Sequence, residues 1–402
     1  PEAYPERFGP SLENVRFAWS FTTQTTTYEM EQIRAGMYGH GNLSYIAREY
    51  PADLTMIQMM QSDGADEQVL VAPVRSLIDV LLQVFAESED AETIDALLQA
   101  GEEVAYVVGG SFETPYFLVD KDGLHGTVAE RARNENTYDD DEVFEIDFST
   151  GQAVIGSDEV TWWCMVPTEK PGRKPPYLVV LYGHGYGSSR LEGIGFSAQM
   201  AKFGLVTCSM DNAGHGLPVD RFLKEDNIAV DPEPLLENIG LGNMVNALNH
   251  GRHRDVTNDG LLDPGGDYWV ADVFHTRDNV RQTTIDYMQF IRIMRSWDGT
   301  KRWPTAIDED NPYVQAQRPI VAGWDTDLDG QPELAGDFNG DGVVDFGGNQ
   351  PYYAWGQSLG GIQSAVLLAI EPLLRAAAPT AGGAGLGDIG IRSSQSGVPE
   401  AV

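Results

Sequence analysis

The chain has 402 residues, 42% of them hydrophobic, which is enough for one large domain with a packed core and a smaller one beside it. Its formal net charge of -35 argues against nucleic acid and anionic membrane surfaces as partners, because both would be repelled. No run of about 18 apolar residues occurs, so the sequence predicts no membrane span.

The sequence begins at Pro1 with neither an initiator methionine nor a signal peptide, which predicts a processed or excised product. Two cysteines, Cys164 and Cys208, are too few for a disulfide-dense scaffold. They do not settle the compartment.

Residues 1–150 are predicted to form a separate N-terminal α+β region. Hydrophobic spacing and capping residues predict strands and helices in turn. The predicted strands are 15–22, 103–108 and 116–119, and the predicted helices are 27–37, 74–85 and 91–100. No recognisable active site assembles here, and the lone histidines His40 and His125 are interpreted as structural.

From about Thr161 the pattern changes to strand, helix and strand. Strands are predicted at 162–167, 177–182 and 205–210, with a helix at 196–203 and a long one at 274–297. The continuous apolar runs are typical of strands that are buried on both faces. Glycine-rich turns follow two of these strands, at 183–187 and 211–216. This order is typical of a parallel α/β sheet.

An aromatic run from Tyr352 leads into Gly356-Gln357-Ser358-Leu359-Gly360 and then into a helical pattern. This is the sequence form of a nucleophile elbow, a turn that exposes a serine hydroxyl between a strand and a helix. We interpret Ser358 as the nucleophile. Gly356 and Gly360 lack a Cβ and let the strand and helix approach. The alternative is a Gly/Ser loop that matches the motif by chance, but the flanking patterns favour the elbow.

The residues from about Trp162 to the end, a little over half of the chain, resemble the α/β-hydrolase superfamily, in particular secreted bacterial esterases and lipases. The resemblance implies an α/β fold with a doubly wound, mostly parallel sheet in residues 151–402. It also implies that the backbone N–H groups of Tyr186 and Leu359 form the oxyanion hole for an ester substrate. His184 and His215 are then structural parts of their loops.

The resemblance further implies that the strands carrying Cys164 and Cys208 are neighbours. We expect two buried free thiols rather than a bond, since a cross-strand disulfide requires suitable geometry.

Three acidic segments place oxygen ligands at loop positions 1, 3, 5 and 9, with glycine at position 6. This is the first part of an EF-hand calcium loop, in which the position-7 carbonyl also binds. Position 12 is Gly266, Gly336 or Gly348 instead of glutamate, so the segments resemble the shorter calcium loops of dockerin and thrombospondin type. The predicted Ca²⁺ ligands are Asp255, Thr257, Asp259, Leu261 and Asp263; Asp325, Asp327, Asp329, Gln331 and Glu333; and Asp337, Asn339, Asp341, Val343 and Asp345.

Asp267 and Asp337, one place beyond position 12, are candidates to complete the first two loops. A single acidic loop is commonly a solvated turn, but three with one pattern indicate calcium. Weak loops of this type require millimolar calcium, which predicts a secreted or cell-surface protein.

Two insertions separate His184 from Ser358. The first, 217–272, follows a strand end and is predicted to cap the active site. The second, 298–348, is predicted at the opposite edge, where calcium stabilises structure. The first calcium loop is expected to rigidify the cap.

A serine nucleophile needs a base, yet the last histidine is His275, and only Glu371, Asp388 and Glu400 follow Ser358 as acids. Either a second polypeptide, separate or cleaved, completes the fold and supplies the histidine and acid, or the chain is a non-catalytic calcium-binding surface or adhesion protein on a degenerate hydrolase scaffold. An exposed sheet edge favours the first hypothesis. The predicted activity is hydrolysis of carboxylic esters through an acyl-enzyme, with a peptidase as an alternative on the same fold.

Overall fold

The structure is a computed structural model. It describes residues 26–52, 70–85, 91–121, 142–217, 251–256, 259–270, 272–303 and 331–386, together with 234, 389 and 392. The strand predicted at 15–22 and most of the two insertions lie outside these residues. Among the described residues, no helix has the length and apolar character needed to cross a membrane.

The strands form a central sheet and one small hairpin. In chain order they are β1 (Leu70–Pro73), β2 (Val104–Tyr116), β3 (Ile146–Asp147), β4 (Gln152–Ala153), β5 (Gly156–Pro167), β6 (Leu178–Gly183), β7 (Leu205–Met210), β8 (Tyr352–Gln357) and β9 (Leu374–Thr380). The order across the central sheet is β1-β2-β5-β7-β6-β8-β9, and β3 pairs with β4.

The central sheet is mixed. Strand β6 is parallel to β7 and β8, and β8 is parallel to β9. Strand β5 is antiparallel to both β2 and β7, and β1 is antiparallel to β2. Strands β2, β7, β6, β8 and β9 therefore run in one direction, with β1 and β5 reversed. The prediction of an α/β fold with an α/β-hydrolase-like sheet is confirmed.

The described helices pack on this sheet in two groups. They are α1 (Tyr28–Met37), α2 (Ile46–Glu49), α3 (Val74–Phe85), α4 (Ala91–Glu103), α5 (Glu192–Ala201), α6 (Val273–Arg295) and α7 (Leu359–Ile370). Helices α3, α4 and α5 pack together, and α1, α6 and α7 form the other group. Both groups contact the sheet, as expected of strands with apolar runs on both faces.

The described residues before position 150 are not structurally separate from the sheet. Strand β2 pairs with β5 from Val104 to Tyr116 and so continues the sheet. Arg34 of α1 binds Glu371, which directly follows α7, through two hydrogen bonds of 2.8 Å. Strand β2 thus finds its partner in β5, about 50 residues further along the chain.

After position 150 the predicted bounds of β6, β7 and α6 hold within two residues, whereas β5 begins six residues and α5 four residues earlier than predicted. The prediction for β2 also differs from the structure. The sequence predicts two strands there, at 103–108 and 116–119. The structure has one strand there, because pairing with β5 supplies the ladder and the indole of Trp163 packs over Gly109. A Cβ built on Gly109 would lie 3.4 Å from the ring.

The expectation of free thiols is wrong. Cys164 of β5 lies directly opposite Cys208 of β7, with their Cα atoms 4.0 Å apart, and the two side chains form a disulfide. The strands are neighbours as predicted. Direct opposition in an antiparallel pair brings the two Cβ atoms within reach of a bond.

The core is aromatic at the end of α6. Trp297 packs against Phe338, the second residue of the third acidic loop, and Phe346, which directly follows that loop. Trp162 of β5 contacts Trp297 and Phe290. The described part of the second insertion is therefore built into the core. It also meets the amino end of β6, because Tyr177 N–H donates to Asp345 O at 2.7 Å. This is the edge opposite Ser358, as predicted.

Candidate active site

Ser358 lies in the turn between β8 and α7, with φ 55° and ψ -112°. Among the described residues, only Ala381 shares a positive φ without being glycine. Such a backbone costs on the order of 1–3 kcal/mol and persists only when its surroundings fix it. Here Ser358 N–H donates to Thr380 O at 2.9 Å, and Ser358 O accepts from Ile362 N–H at 3.2 Å. The half-buried side chain is thus held at the carboxyl end of β8.

Three backbone segments meet at the glycines around this turn. A Cβ on Gly360 would lie 1.9 Å from the carbonyl oxygen of Gly183, and one on Gly356 would lie 2.2 Å from that of Gly360. Real Cβ atoms do not approach so closely, so these positions require glycine. The predicted role of Gly356 and Gly360 in letting strand and helix approach is confirmed.

The two predicted oxyanion donors belong to adjacent elements. Tyr186 lies in the loop after β6, and Leu359 is the first residue of α7. Gly183 pairs with Gly356, so the loops that follow β6 and β8 start side by side. The N–H of Leu359 has no acceptor within its own helix. Among the described residues, neither this N–H nor that of Tyr186 donates a hydrogen bond to the protein.

The first insertion contacts both of these positions. Tyr186 Oη–H donates to Gly265 O at 3.1 Å, and the ring lies 6.4 Å from that of Trp269. Tyr268 and Trp269 pack in one apolar cluster with Leu359. The described end of this insertion therefore lies on the active-site side of the sheet, as predicted.

Glu192, in the first turn of α5, was missed in the sequence. Its Oε2 accepts from Gly185 N–H at 2.9 Å, one residue before Tyr186, while its Oε1 accepts from the hydroxyl of Tyr182 at 2.7 Å. The carboxylate thus fixes the loop that carries Tyr186. The sequence signal for this role was an acidic residue in the first turn of the helix that follows the loop.

A buried ion pair supports the same loop and was also missed. Arg190 and Asp211 pair through their side chains, and Arg190 N–H donates to Asp211 Oδ1 at 2.7 Å. The two residues are 21 positions apart, and no local spacing connects them. Only the adjacency of β6 and β7 brings them together.

His184 and His215 are structural, as expected. His184 Nε2 accepts from Asn212 N–H at 3.0 Å, so the proton is on Nδ1, which lies 2.8 Å from Gly185 O. His215 Nδ1 lies 2.9 Å from Ala213 O. Burial lowers the pKa of His184 and lowers that of His215 well below its usual value. Both rings link the loops after β6 and β7 in the neutral form.

The remaining candidate acids and bases do not form a relay with Ser358. His275 has both ring nitrogens near carbonyl oxygens, Glu142 O at 2.9 Å and Asp267 O at 3.1 Å. Glu371 is fully buried and held by Arg34. Asp388 and Glu400 lie outside the described residues. Among the described residues, no histidine or carboxylate hydrogen-bonds to the Ser358 hydroxyl.

The third acidic loop is tightly wound on its own carboxylates. Asp337 accepts from Gly340 N–H and Gly342 N–H, both at 2.8 Å, and Asp345 Oδ2 accepts from Phe338 N–H at 2.7 Å. Asp337 and Asp345 are each 1% exposed, and burial raises the pKa of Asp345 to about 6. Within the described chain neither is in an ion pair. Two buried carboxylates in one turn are a costly arrangement without a cation.

The first acidic loop repeats this pattern position by position. The position-1 carboxylate accepts from the position-6 N–H at 2.8 Å in both loops, Asp255 from Gly260 and Asp337 from Gly342. The position-5 carboxylate accepts from the position-7 N–H at 2.9 Å, and the position-9 carboxylate accepts from the position-2 N–H. The glycines at position 6 have φ of 83° and 82°. The shared sequence pattern thus gives a shared loop conformation.

Most of the second loop lies outside the described residues, and only its Gln331 and the buried Glu333 are described among its predicted ligands. Thr257 of the first loop also lies outside them. Asp267 does not complete the first loop here: its Oδ2 lies 3.7 Å from Arg254 Nε and its Oδ1 has no hydrogen-bond partner. No group of three or more His, Cys, Asp or Glu side chains is placed to hold a metal among the described residues. The donors of the first and third loops, carboxylate, amide and carbonyl oxygens, are nevertheless those that Ca²⁺ takes.

No protein-family model and no curated protein matches the chain. Solved structures similar to it include a carboxyl esterase from Bacillus coagulans (14% identity, 58% of this chain and 42% of that one, TM-score 0.23). A rice cell wall degrading esterase, LipA from Xanthomonas oryzae, shares 13% identity over 78% of this chain and 48% of its own, with a TM-score of 0.28. An acetyl xylan esterase from Paenibacillus sp. R4 shares 12% over 76% and 63%, with a TM-score of 0.24.

The chain thus covers 42–63% of the length of these three structures. At such TM-scores the likeness carries no argument about chemistry. The fold is established here by the strand order and directions of the sheet itself.

Proposed function

We propose that this chain carries the nucleophile of a serine hydrolase that cleaves carboxylic esters. The observation that supports it most is Ser358 in a strained turn between β8 and α7, at a point where glycines let three backbone segments meet. Maintaining such strain is characteristic of functional sites. The half-buried hydroxyl sits beside the amino end of α7, where the helix dipole favours negative charge.

In this proposal Ser358 Oγ forms a bond to the ester carbonyl carbon, and the bond from that carbon to the alcohol oxygen breaks. The proton of the serine hydroxyl passes through the base to the departing alcohol. The negative charge that develops on the carbonyl oxygen is held by the N–H groups of Tyr186 and Leu359. Water then cleaves the acyl-serine and restores the hydroxyl. Glu192, with Arg190 and Asp211, positions the Tyr186 loop for this role.

The base that takes the serine proton is proposed to come from a further polypeptide segment that supplies a histidine and an acid. His184, His215 and His275 are engaged with backbone groups, which supports this assignment. Among the described strands, β9 is at the end of the sheet and has largely exposed residues, and such a segment is proposed to pair there.

Labelling by a fluorophosphonate probe tests this proposal. The protein, together with the segment that completes it, should be labelled, and Ser358→Ala should abolish the label. Ser188→Ala, which removes a half-buried serine from the loop after β6, is the matched control and should label like the wild type. Absence of labelling in the wild type would favour the alternative of a non-catalytic calcium-binding surface or adhesion protein.

Calcium is the second part of the proposal. We propose that loops 255–263 and 337–345 bind Ca²⁺ through the oxygens named above, and that 325–333 binds a third ion. The hydrogen-bonding pattern that loops 255–263 and 337–345 share supports this, as do the buried carboxylates of loop 337–345. The ion would neutralise those carboxylates and fix the loops, without taking part in ester cleavage.

A secreted or cell-surface location follows as a proposal from these weak calcium loops. The Cys164–Cys208 disulfide supports it, since such bonds persist mainly in oxidising compartments.

A further inference from the structure

Segment 265–269, at the described end of the first insertion, contacts the surroundings of both proposed oxyanion donors. On one side, Gly265 O accepts from the side-chain hydroxyl of Tyr186 at 3.1 Å. On the other side, Tyr268 packs in one apolar cluster with Leu359, the first residue of α7. The segment therefore connects the two elements whose N–H groups must converge on one oxygen atom.

The contact between this segment and Tyr186 is tight. Gly265 has φ 75°, and a Cβ at this position would lie 2.7 Å from Cε2 of the Tyr186 ring, so only glycine lets the ring pack here. Gly265 N–H also donates to Gly214 O at 2.7 Å, which ties the segment to the loop after β7. Tyr186 is thus held by the insertion, while Glu192 of α5 holds the residue before it.

The contact between this segment and α7 depends on Tyr268. Its side chain is fully buried, and its hydroxyl oxygen accepts from Gln363 Nε2 at 2.9 Å. Gln363 is also buried and lies four residues after Leu359, so both residues occupy the same face of α7.

The two contacts share one carbonyl oxygen. Tyr268 N–H donates to Gly265 O at 3.0 Å, and this is the atom that also accepts from Tyr186 Oη–H. A short series of hydrogen bonds therefore runs from the side chain of Tyr186 through Gly265 and Tyr268 to Gln363 of α7.

We propose that Tyr268 is a positioning residue that fixes the placement of the two oxyanion donors relative to each other. The inference rests on the proposed hydrolase function and assigns a role to the end of the first insertion in it. Tyr268 acts through its bonds to Gln363 and Gly265. A misplacement of about 1 Å in a catalytic group can cost about 100-fold in rate, and the oxyanion donors act mainly in the transition state. Loss of the bond to Gln363 should therefore lower kcat more than it changes KM.

Tyr268→Phe tests this role, because it removes the hydroxyl and keeps the ring. In the protein completed by its further segment, this variant should lower kcat for a p-nitrophenyl ester about tenfold and change KM by less than about twofold. Tyr352→Phe is the matched control. Tyr352 is also buried, and its hydroxyl donates to Gly348 O at 3.1 Å, at the end of β8 away from Ser358. Urea unfolding should show a similar loss of stability in both variants, whereas Tyr352→Phe should keep the wild-type kcat.

A pair of inhibitors reports on the oxyanion itself. A trifluoromethyl ketone accepts a bond from Ser358 Oγ at its carbonyl carbon, the serine proton passes to the base, and the carbonyl oxygen becomes the oxyanion. The corresponding secondary alcohol binds without forming this bond. Tyr268→Phe should weaken inhibition by the ketone about tenfold and leave inhibition by the alcohol unchanged. An equal loss for both inhibitors would show general damage to the site and refute the positioning role.

Gln363→Met breaks the same bond from the side of α7. If the bond carries the effect, Gln363→Met should lower kcat about as much as Tyr268→Phe does, and the double variant should be no slower than the slower single variant. Independent, additive losses would contradict the proposal. If the wild type is neither labelled by the fluorophosphonate probe nor active, the hydrolase function fails and this role fails with it. If the wild type is active and Tyr268→Phe has the same kcat, the positioning role alone is refuted.

Discussion

At Ser358 the backbone has a conformation that L-residues rarely adopt, and the glycines around it make that possible. Gly183, Gly356 and Gly360 lie so close together that no side chain fits between β6, β8 and α7. The motif Gly-x-Ser-x-Gly is therefore a packing requirement as much as a chemical signature. Its glycines can be predicted from the sequence because only glycine, which has no Cβ, meets that requirement.

The first prediction concerns Gly360. Gly360→Ala should prevent native packing or destabilise the protein by several kcal/mol, because the new Cβ would meet the carbonyl of Gly183 at 1.9 Å. Gly195→Ala in α5 is the control: nothing lies within 4 Å of its Cβ, and the helix gains about 0.5–1 kcal/mol. Urea unfolding measures both. Equal stability of the two variants would contradict the packing argument.

The second prediction concerns pH and His184. Burial lowers its pKa, so below the unfolded value of about 6.5 the unfolded chain binds a proton that the folded chain does not. The contribution of the neutral His184 ring to the free energy of unfolding is therefore present at neutral pH and is lost as the pH falls below about 6.5. His184→Gln should make the free energy of unfolding less dependent on pH between 7 and 5, by up to about 1.4 kcal/mol per pH unit.

Urea unfolding at several pH values provides this measurement, and His40→Gln controls for the loss of an exposed histidine. An unchanged slope in His184→Gln would show that the buried ring takes up a proton in the folded state.

At the scale of elements, the acidic loop 337–345 joins α6 to β6 and β8. Phe338 and Phe346 anchor it on Trp297, and Asp345 is bonded through its carbonyl to Tyr177 before β6. A loop so placed cannot move without disturbing the core. This is why calcium here is expected to change stability rather than catalysis.

The third prediction follows from that placement. Calcium at about 100 times its dissociation constant should stabilise the wild type by about 2.7 kcal/mol per site, and EDTA should reverse this. In Asp337→Ala the calcium-dependent increment should fall by at least one site, since Asp337 is position 1 of the third loop and a candidate to complete the second, while Asp298→Ala keeps it. The increment is the deciding readout, since Asp337 also accepts two backbone hydrogen bonds within the loop. Thermal unfolding measures this increment, with magnesium as the ionic control. Equal stabilisation by magnesium and calcium would contradict the calcium proposal.

At the scale of the whole molecule, the described parts of the chain are joined across the sheet. Strand β2 pairs with β5, Arg34 binds Glu371, and the Cys164–Cys208 disulfide links β5 to β7. These contacts connect residues on both sides of position 150. Cooperative behaviour is therefore expected of the described region as a unit.

The fourth prediction tests the disulfide. Replacing both cysteines by alanine should lower the free energy of unfolding by about 2–4 kcal/mol, since the bond closes a loop with a sequence separation of 44. The wild type unfolded under reducing conditions should lose a similar amount, and the double variant should not respond to the reductant. Mass spectrometry after thiol alkylation of the native protein would refute the bond if both thiols were modified.

The sequence by itself determined the local features of this protein. Apolar runs, glycine-rich turns and the elbow motif specify β6, β7, β8, α6 and α7, because strand and helix periodicity and the steric demands of glycine are local. The two described acidic loops also follow from sequence, since their carboxylates bond to backbone groups only a few residues away.

Only the tertiary structure decided the long-range features. The partner of β2, the cysteine bond and the Arg190–Asp211 pair each depend on strand order and register, which bring together residues at least 21 positions apart. No periodicity encodes such pairs, because burial and charge act between neighbours in space. Ser358 could therefore be predicted from its own motif, whereas the Arg190–Asp211 pair that supports the Tyr186 loop appeared only once the sheet was assembled.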